Sequence, residues 1–310
     1  VDKQLSYQAP SSDSAPLSQV SIQAGSWKDF INVIKPGILR SNLIAAFGGF
    51  WLASQWDINF VSLVWMLLGT TLVMASSCAF NNYYDRELDM KMTRTRDRAL
   101  PTGRLTPTVV LWYSIVLGVL GLAVLFVFTN VLAGVLGLVG MLVYGGIYTL
   151  WLKRTSTWST SVGAISGAMP PVIGYVAVTN AIDMGAILLF ALLFLWQPPH
   201  FWALGIRRVE EYRAAGFPLL PVVKGIRRTK FQMIPYVALL VLVSILFYVY
   251  GYVGWIFLCV ATLLSAAWLF MTFIGFKAKV DEIWAKKHFF MSINYLMVVF
   301  IIMIIDTAHK

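Results

Sequence analysis

The sequence predicts an all-α polytopic membrane protein, nine transmembrane helices around a central cavity with cytoplasmic caps. Two observations carry that prediction. The 310 residues are 59% hydrophobic with a mean hydropathy of +0.74, and nine apolar runs of about 20 residues recur along the chain, the length that crosses about 30 Å of hydrocarbon. The charge is also patterned. Basic residues gather before the first run and in the connections after the second, fourth, sixth and eighth, whereas Lys310 alone falls at the opposite face. A backbone in lipid must satisfy its own hydrogen bonds, and the runs are too long and too continuous for barrel strands, so the spans are helices.

Taken in order, residues 1–27 are rich in Ser and Gln and read as a disordered cytoplasmic tail, with 28–310 as one transmembrane domain. No early apolar run resembles a signal peptide, so the first span does the targeting. The predicted spans are 38–56, 60–80, 107–128, 131–151, 159–178, 184–204, 233–250, 254–276 and 288–305. The connections after the first, third, fifth and seventh carry only Asp57 and Asp183 as charges. Short cytoplasmic loops retain Lys and Arg, so the N-terminus and the even-numbered connections are expected in the cytoplasm and the C-terminus outside, in the cell membrane. The net charge of +10 is mostly this topological signal and calls for no nucleic-acid partner. Cys78 and Cys259 fall inside predicted spans and read as packing residues.

The charge concentrates in NNYYDRELDMKMTRTRDRALPTGR, residues 81–104. If the second helix continues out of the membrane, Asn81, Asp85 and Asp89 stand at i, i+4, i+8, with Asn82 three before Asp85, so two amides and two carboxylates share a stripe. Carboxylates four apart repel, which calls for a cation. An oxygen-rich stripe suits Mg²⁺, which takes one or two carboxylates and fills its other positions with water and phosphate oxygens. Lys91, Arg94, Arg96 and Arg98 follow directly, and Lys153 with Arg154 recur after the fourth span. Carboxylates beside guanidinium and ammonium groups form the constellation that holds a diphosphate and stabilises its charge as it leaves. Each close charge pair contributes about 4 kcal/mol at 4 Å and an effective dielectric of about 20. An ordinary solvated loop explains the basic residues but not Asn and Asp in register at the end of an apolar helix.

NNYYDRELD followed by MTRTRDRALPTGR resembles the first signature of the UbiA superfamily of intramembrane prenyltransferases, N-D-x-x-D-x-x-x-D, with Asn82 in place of the first Asp. That departure, together with KPGILRSNLIAAFGGF at 35–50, YTLWLKR at 148–154, and WQPPHFWAL with EEYRAAGFPLLP at 196–221, resembles the haem O synthase branch. The resemblance runs from about residue 28 onward. It implies the UbiA-type fold, Mg²⁺ as cofactor, and farnesyl diphosphate and haem b as substrates within the lipid bilayer. A downstream haem-modifying enzyme or terminal oxidase assembly is a further expected partner.

The second charged connection, after span six, also carries Pro and aliphatic residues, hinting at a duplicated bundle whose two caps meet over one cavity. Trp196 and His200 share a helical face, and Arg207 stands four before Glu211. Pro198 and Pro199 remove two backbone donors and are expected to kink span six and open a cavity lined by His200; Pro170 and Pro171 do the same in span five. With the resemblance, His200 faces the haem, as iron ligand or as the group guiding addition of water, and Arg207 or Arg208 pairs with its propionates or merely marks topology. Glu211 is the expected carboxylate of a second metal motif, and Glu210 reads as solvated. Lys35, at the mouth of span one, has two readings, a diphosphate contact or a positive-inside residue. Asn42 and Tyr148 line the cavity or bond between helices. Two rivals remain: another prenyl transfer, to a quinone precursor or a chlorophyll-type acceptor, and transport. Transport normally places ionisable groups at mid-depth, whereas here the charges gather at one mouth.

Overall fold

A computed structural model describes residues 25–309, so the expected tail lies almost wholly outside the described residues. Ser26 starts a short helix, α1 (Trp27–Val33): its backbone N–H donates to Asp29 Oδ2 at 3.0 Å, one half of a reciprocal capping box. The bundle follows as α2 (Pro36–Ser54), α3 (Phe60–Asp89), α4 (Pro107–Phe128), α5 (Val131–Thr155), α6 (Ser159–Thr179) and α7 (Met184–Arg207). Two short cap helices, α8 (Val209–Ala214) and α9 (Leu220–Val223), lead into α10 (Gly225–Val249), α11 (Trp255–Lys277) and α12 (Asp281–Ile305).

Eight of these are long and apolar enough to cross a membrane. The predicted first span, α2, is a helix of 19 residues that falls short of those eight in apolar character, having Arg40, Ser41 and Asn42 in its first two turns. Large apolar side chains such as Val61, Trp112, Val119, Val127 and Leu263 are exposed on the outside of the bundle. In water that surface would be unstable, and in lipid it is the expected one. The chain is an integral membrane protein.

Where two helices must touch, the sequence supplies small residues. A Cβ on Gly49 would lie 2.0 Å from the Pro171 carbonyl oxygen, and one on Gly174 would lie 2.0 Å from that of Ala46, so the backbones of α2 and α6 are in direct contact. Leucine at position 174 should therefore lower the thermal midpoint in detergent by the equivalent of about 3 kcal/mol. Gly37→Ala, with nothing within 4 Å of its Cβ, should leave that midpoint unchanged or slightly raised.

The prolines act differently in the two spans. The α6 helix breaks at Ala168, just ahead of Pro170 and Pro171, whereas α7 runs unbroken through Pro198 and Pro199. The other departure from regular helix was not foreseen. Val143–Leu152 of α5 winds as a π-helix, a wider turn that is uncommon and recurs at functional sites. At the charged end, Leu88 and Met92 from the first cap pack with Tyr212, Ala215, Phe217 and Leu219 from the second. The two caps do meet.

Candidate active site

The i, i+4, i+8 stripe is helical to its end, because α3 extends to Asp89, nine residues past the predicted span. All four of its oxygen-bearing side chains are buried: Asn81, Asn82, Asp85 and Asp89. Burying a charge is costly unless it is paired and hydrogen-bonded, and here every acid is. Asp85, 1% exposed, accepts from Lys153 Nζ, from Arg154 NH2 at 3.4 Å and from Asn81 Nδ2 at 2.9 Å. Asp89 accepts from Arg98 NH1 at 2.7 Å. Lys35 Nζ donates to Asn81 Oδ1 at 2.5 Å. Four cations thus crowd two carboxylates, leaving two positive charges in excess at one mouth. Such a cluster attracts an anion.

Above this floor lies a cavity of about 380 Å³. Lys35, Asn42, Asn81, Asp89, Arg94, Arg98, Tyr148 and Lys153 line its charged end, and Trp196 and His200 its wall on α7. The remainder is mostly apolar, with Val73, Met74, Met141, Ile173 and Leu193 among the lining residues. A polar, positively charged mouth opening onto an oily chamber fits a molecule with a charged head and a hydrocarbon body.

Several expected residues are placed elsewhere. The Asn82 amide donates to the Val33 carbonyl at 2.6 Å and accepts from Arg98, so it ties α1 to α3 and lines a smaller side hollow of about 310 Å³ that shares Arg94 and Arg98 with the main cavity. Lys91 is exposed on the cap and off the lining. Glu211 pairs with Arg208 at 2.8 Å, not with Arg207 four residues before it, because the helix ends at Arg207 and the chain turns at Arg208. None of these three lines the cavity, although Tyr212, the neighbour of Glu211, does. Glu210 pairs with Arg213 on the surface.

Thr149, Tyr144 and Gln197 belong to the site without having been expected from the sequence. Thr149 accepts from Asn81 at 3.2 Å, and Arg154 stacks on Tyr84 with its guanidinium 4.1 Å from the ring centre while bonding the Tyr84 carbonyl. Tyr148, an expected cavity residue, faces the chamber from the π-helical segment, and Tyr144, four residues before it, joins it there. Gln197 is 6% exposed, lines the cavity, and has no hydrogen-bond partner among the described residues, so its amide is available to a bound molecule.

Lys35 has an unusual backbone. It adopts φ 56° and ψ 66°, the left-handed region, immediately before Pro36, a conformation costly for a lysine and persisting only where the surroundings enforce it. Burial pulls its ammonium down to about 8 from the ordinary 10.5. The charge is therefore present below pH 8 and lost above, and KM for an anionic substrate should rise roughly tenfold from pH 7 to pH 9. Lys35→Arg should flatten that rise, and an initial-rate pH profile of both proteins checks it.

Residues 42–294 match the UbiA prenyltransferase family. The chain is 50% identical over 289 residues to protoheme IX farnesyltransferase 1 of Bacillus velezensis, covering 90% of this chain and 91% of that relative. Among solved structures it resembles digeranylgeranylglyceryl phosphate synthase, with a TM-score of 0.77 at 18% identity over 90% of this chain and 97% of the other. It also resembles a UbiA homologue from Archaeoglobus fulgidus bound to DMAPP and Mg²⁺, with a TM-score of 0.66 at 18% identity over 89% of this chain and 99% of the other.

Proposed function

The chain belongs to the UbiA prenyltransferase family, and on that premise we propose that it transfers a farnesyl group from farnesyl diphosphate to a vinyl group of haem b, with addition of water, giving haem O and diphosphate. The observation that carries this reading is a single chamber joining the cation-and-carboxylate mouth to the Trp196–His200 wall. The acids also fit a divalent metal. Asp89 and Asn81 line the chamber and Asp85 is bonded to Asn81 beside them, a donor set that suits Mg²⁺, an ion that takes one or two carboxylates and completes its shell with substrate oxygens and water. Asp85, Asp89 and the Asn81 amide would hold it, and when bound it would polarise the diphosphate leaving group.

The chain's own groups do the rest. Lys35, Arg94, Arg98 and Lys153 bind the diphosphate, and the charge that builds on it as the C1–O bond breaks falls on ammonium and guanidinium groups already in place. The apolar walls keep water from the allylic cation until C1 joins the vinyl carbon. Water then adds to the carbon beside the ring and releases a proton, with His200 and Gln197 as polar groups on that wall. The charged end faces the cytoplasm and the C-terminus lies outside, as the basic connections require. The product passes to a downstream haem-modifying enzyme or terminal oxidase assembly.

Membranes containing the protein, incubated with haem b, farnesyl diphosphate and Mg²⁺, test this by mass spectrometry. Hydroxyethylfarnesyl haem should appear only when all three are added. Prenylation of a quinone precursor with no change in haem would overturn the assignment of the acceptor.

A further inference from the structure

The His200 ring is held more tightly than its place on a cavity wall requires. Trp196 stacks on it at 4.5 Å and 21°, and Phe289 stacks at 4.5 Å and 27°, so the imidazole is clamped on both faces and its two nitrogens point in fixed directions. Nδ1 lies 2.7 Å from Ser292 Oγ on α12. The same residue anchors the clamp, because the Trp196 indole Nε1–H donates to the Ser292 carbonyl at 2.7 Å.

The serine hydroxyl has one proton to give. Its Oγ lies 2.6 Å from the Phe289 carbonyl oxygen, which only accepts. Were the hydroxyl proton given to Nδ1 instead, two unprotonated oxygens would face each other at that distance in a site fully closed to solvent, since Ser292 is 0% exposed. The proton therefore goes to Phe289, and Ser292 Oγ accepts from Nδ1–H. The tautomer is thereby set: the imidazole proton sits on Nδ1, and Nε2, which has no hydrogen-bond partner among the described residues, keeps its lone pair.

We propose that Ser292 is a positioning residue that fixes His200 as the Nδ1–H tautomer and so presents a bare Nε2 lone pair to the haem substrate. The second half of the statement rests on the reading that His200 meets haem; the first half does not. In water a histidine side chain favours Nε2–H, so the arrangement reverses the default. It is also the one a metal ligand needs, since the nitrogen opposite the ligating one commonly donates to a neighbouring oxygen, which orients the ring and raises its basicity.

Two measurements separate the halves. In full-length protein carrying ¹³C,¹⁵N-histidine, the resonances that vanish in His200→Ala should report a neutral ring protonated at Nδ1. Ser292→Ala should convert them to the Nε2–H pattern, and Ser292→Thr, which keeps the hydroxyl, should restore Nδ1–H. An Nε2–H ring in the unaltered protein, or a pattern indifferent to Ser292→Ala, overturns the tautomer assignment. In the second measurement haem is titrated by its Soret band. Ser292→Ala should weaken haem affinity by about tenfold, in the range found for residues that orient a metal ligand, with Ser292→Thr near the unaltered value. A Soret band and affinity unchanged in His200→Ala overturn the role of Nε2 toward haem.

Discussion

Asp85→Asn is expected to lose about 10³-fold in turnover while binding prenyl diphosphate without metal more tightly than the unaltered protein. The two effects have opposite signs for one reason. Asp85 is the hub on which Lys153, Arg154 and Asn81 converge. Asparagine matches its shape and still accepts hydrogen bonds, so the helix and its packing should survive, but the negative charge is gone. A divalent cation loses a carboxylate ligand, and removing one preorganised electrostatic contact of this kind typically costs 10²–10³-fold in rate. Meanwhile Lys153 and Arg154 lose their counter-charge. Lys153, which lines the chamber with its side chain 19% exposed, is then free to turn toward an anion there. Equilibrium binding with a chelator present, set beside single-turnover rates with Mg²⁺, reads both signs. A variant that keeps its turnover would remove Asp85 from the chemistry.

Lys153→Met should lower kcat/KM for the prenyl diphosphate by about 10²-fold, mostly through KM. Lys153 stands where α5 leaves the bundle, bonds Asp85, and lines the cavity. Its ammonium also lies 5.8 Å from the Tyr148 ring centre and 5.2 Å from that of Phe217, so rings from both halves of the site surround it. Methionine keeps the apolar stem and deletes the charge. A close charge pair contributes up to about 4 kcal/mol at an effective dielectric of about 20, and the partial exposure of this group reduces that toward about 3, the equivalent of 10²-fold. Lys153→Arg should recover most of the loss, because a guanidinium serves diphosphate at least as well. Initial rates over a range of substrate concentrations separate KM from kcat.

Much of this architecture was legible because the membrane imposes a simple code. A charge-free run long enough to span must be helical, and a cluster of Lys and Arg must lie at an end. Asn81, Asp85 and Asp89 were legible as a stripe because α3 keeps a regular 3.6-residue turn through the boundary. The π-helical Val143–Leu152 was not, since nothing in its Tyr and Gly content announces a change of period. The unequal action of the prolines has a similar origin. The α6 helix breaks at Ala168 and α2 packs against the half of α6 that begins at Met169, whereas Pro198 and Pro199 are buried inside a helix that continues through them. Ser292 escaped notice because its work depends on which residue of a distant span lies beside it. One Ser in an apolar helix usually back-bonds its own turn, and this one does that as well. Glu211 was assigned by its place in a motif, and its pairing with Arg208 depends on where α7 stops, within the one or two residues that sequence defines least well.

In the proposed reaction the acids of α3 and the cations Lys35, Arg94, Arg98 and Lys153 hold a metal–diphosphate unit at the mouth of the chamber walled by His200. A crystal structure with Mn²⁺ and the unreactive farnesyl thiodiphosphate tests it most directly, read by the anomalous signal of the metal. The expected peak is coordinated by Asp85 or Asp89 and by analogue oxygens, with Lys153 and Arg98 on the diphosphate and the farnesyl chain inside the bundle. A peak at Glu211 alone, or an analogue whose diphosphate lies away from Lys153 and Arg98, would contradict it.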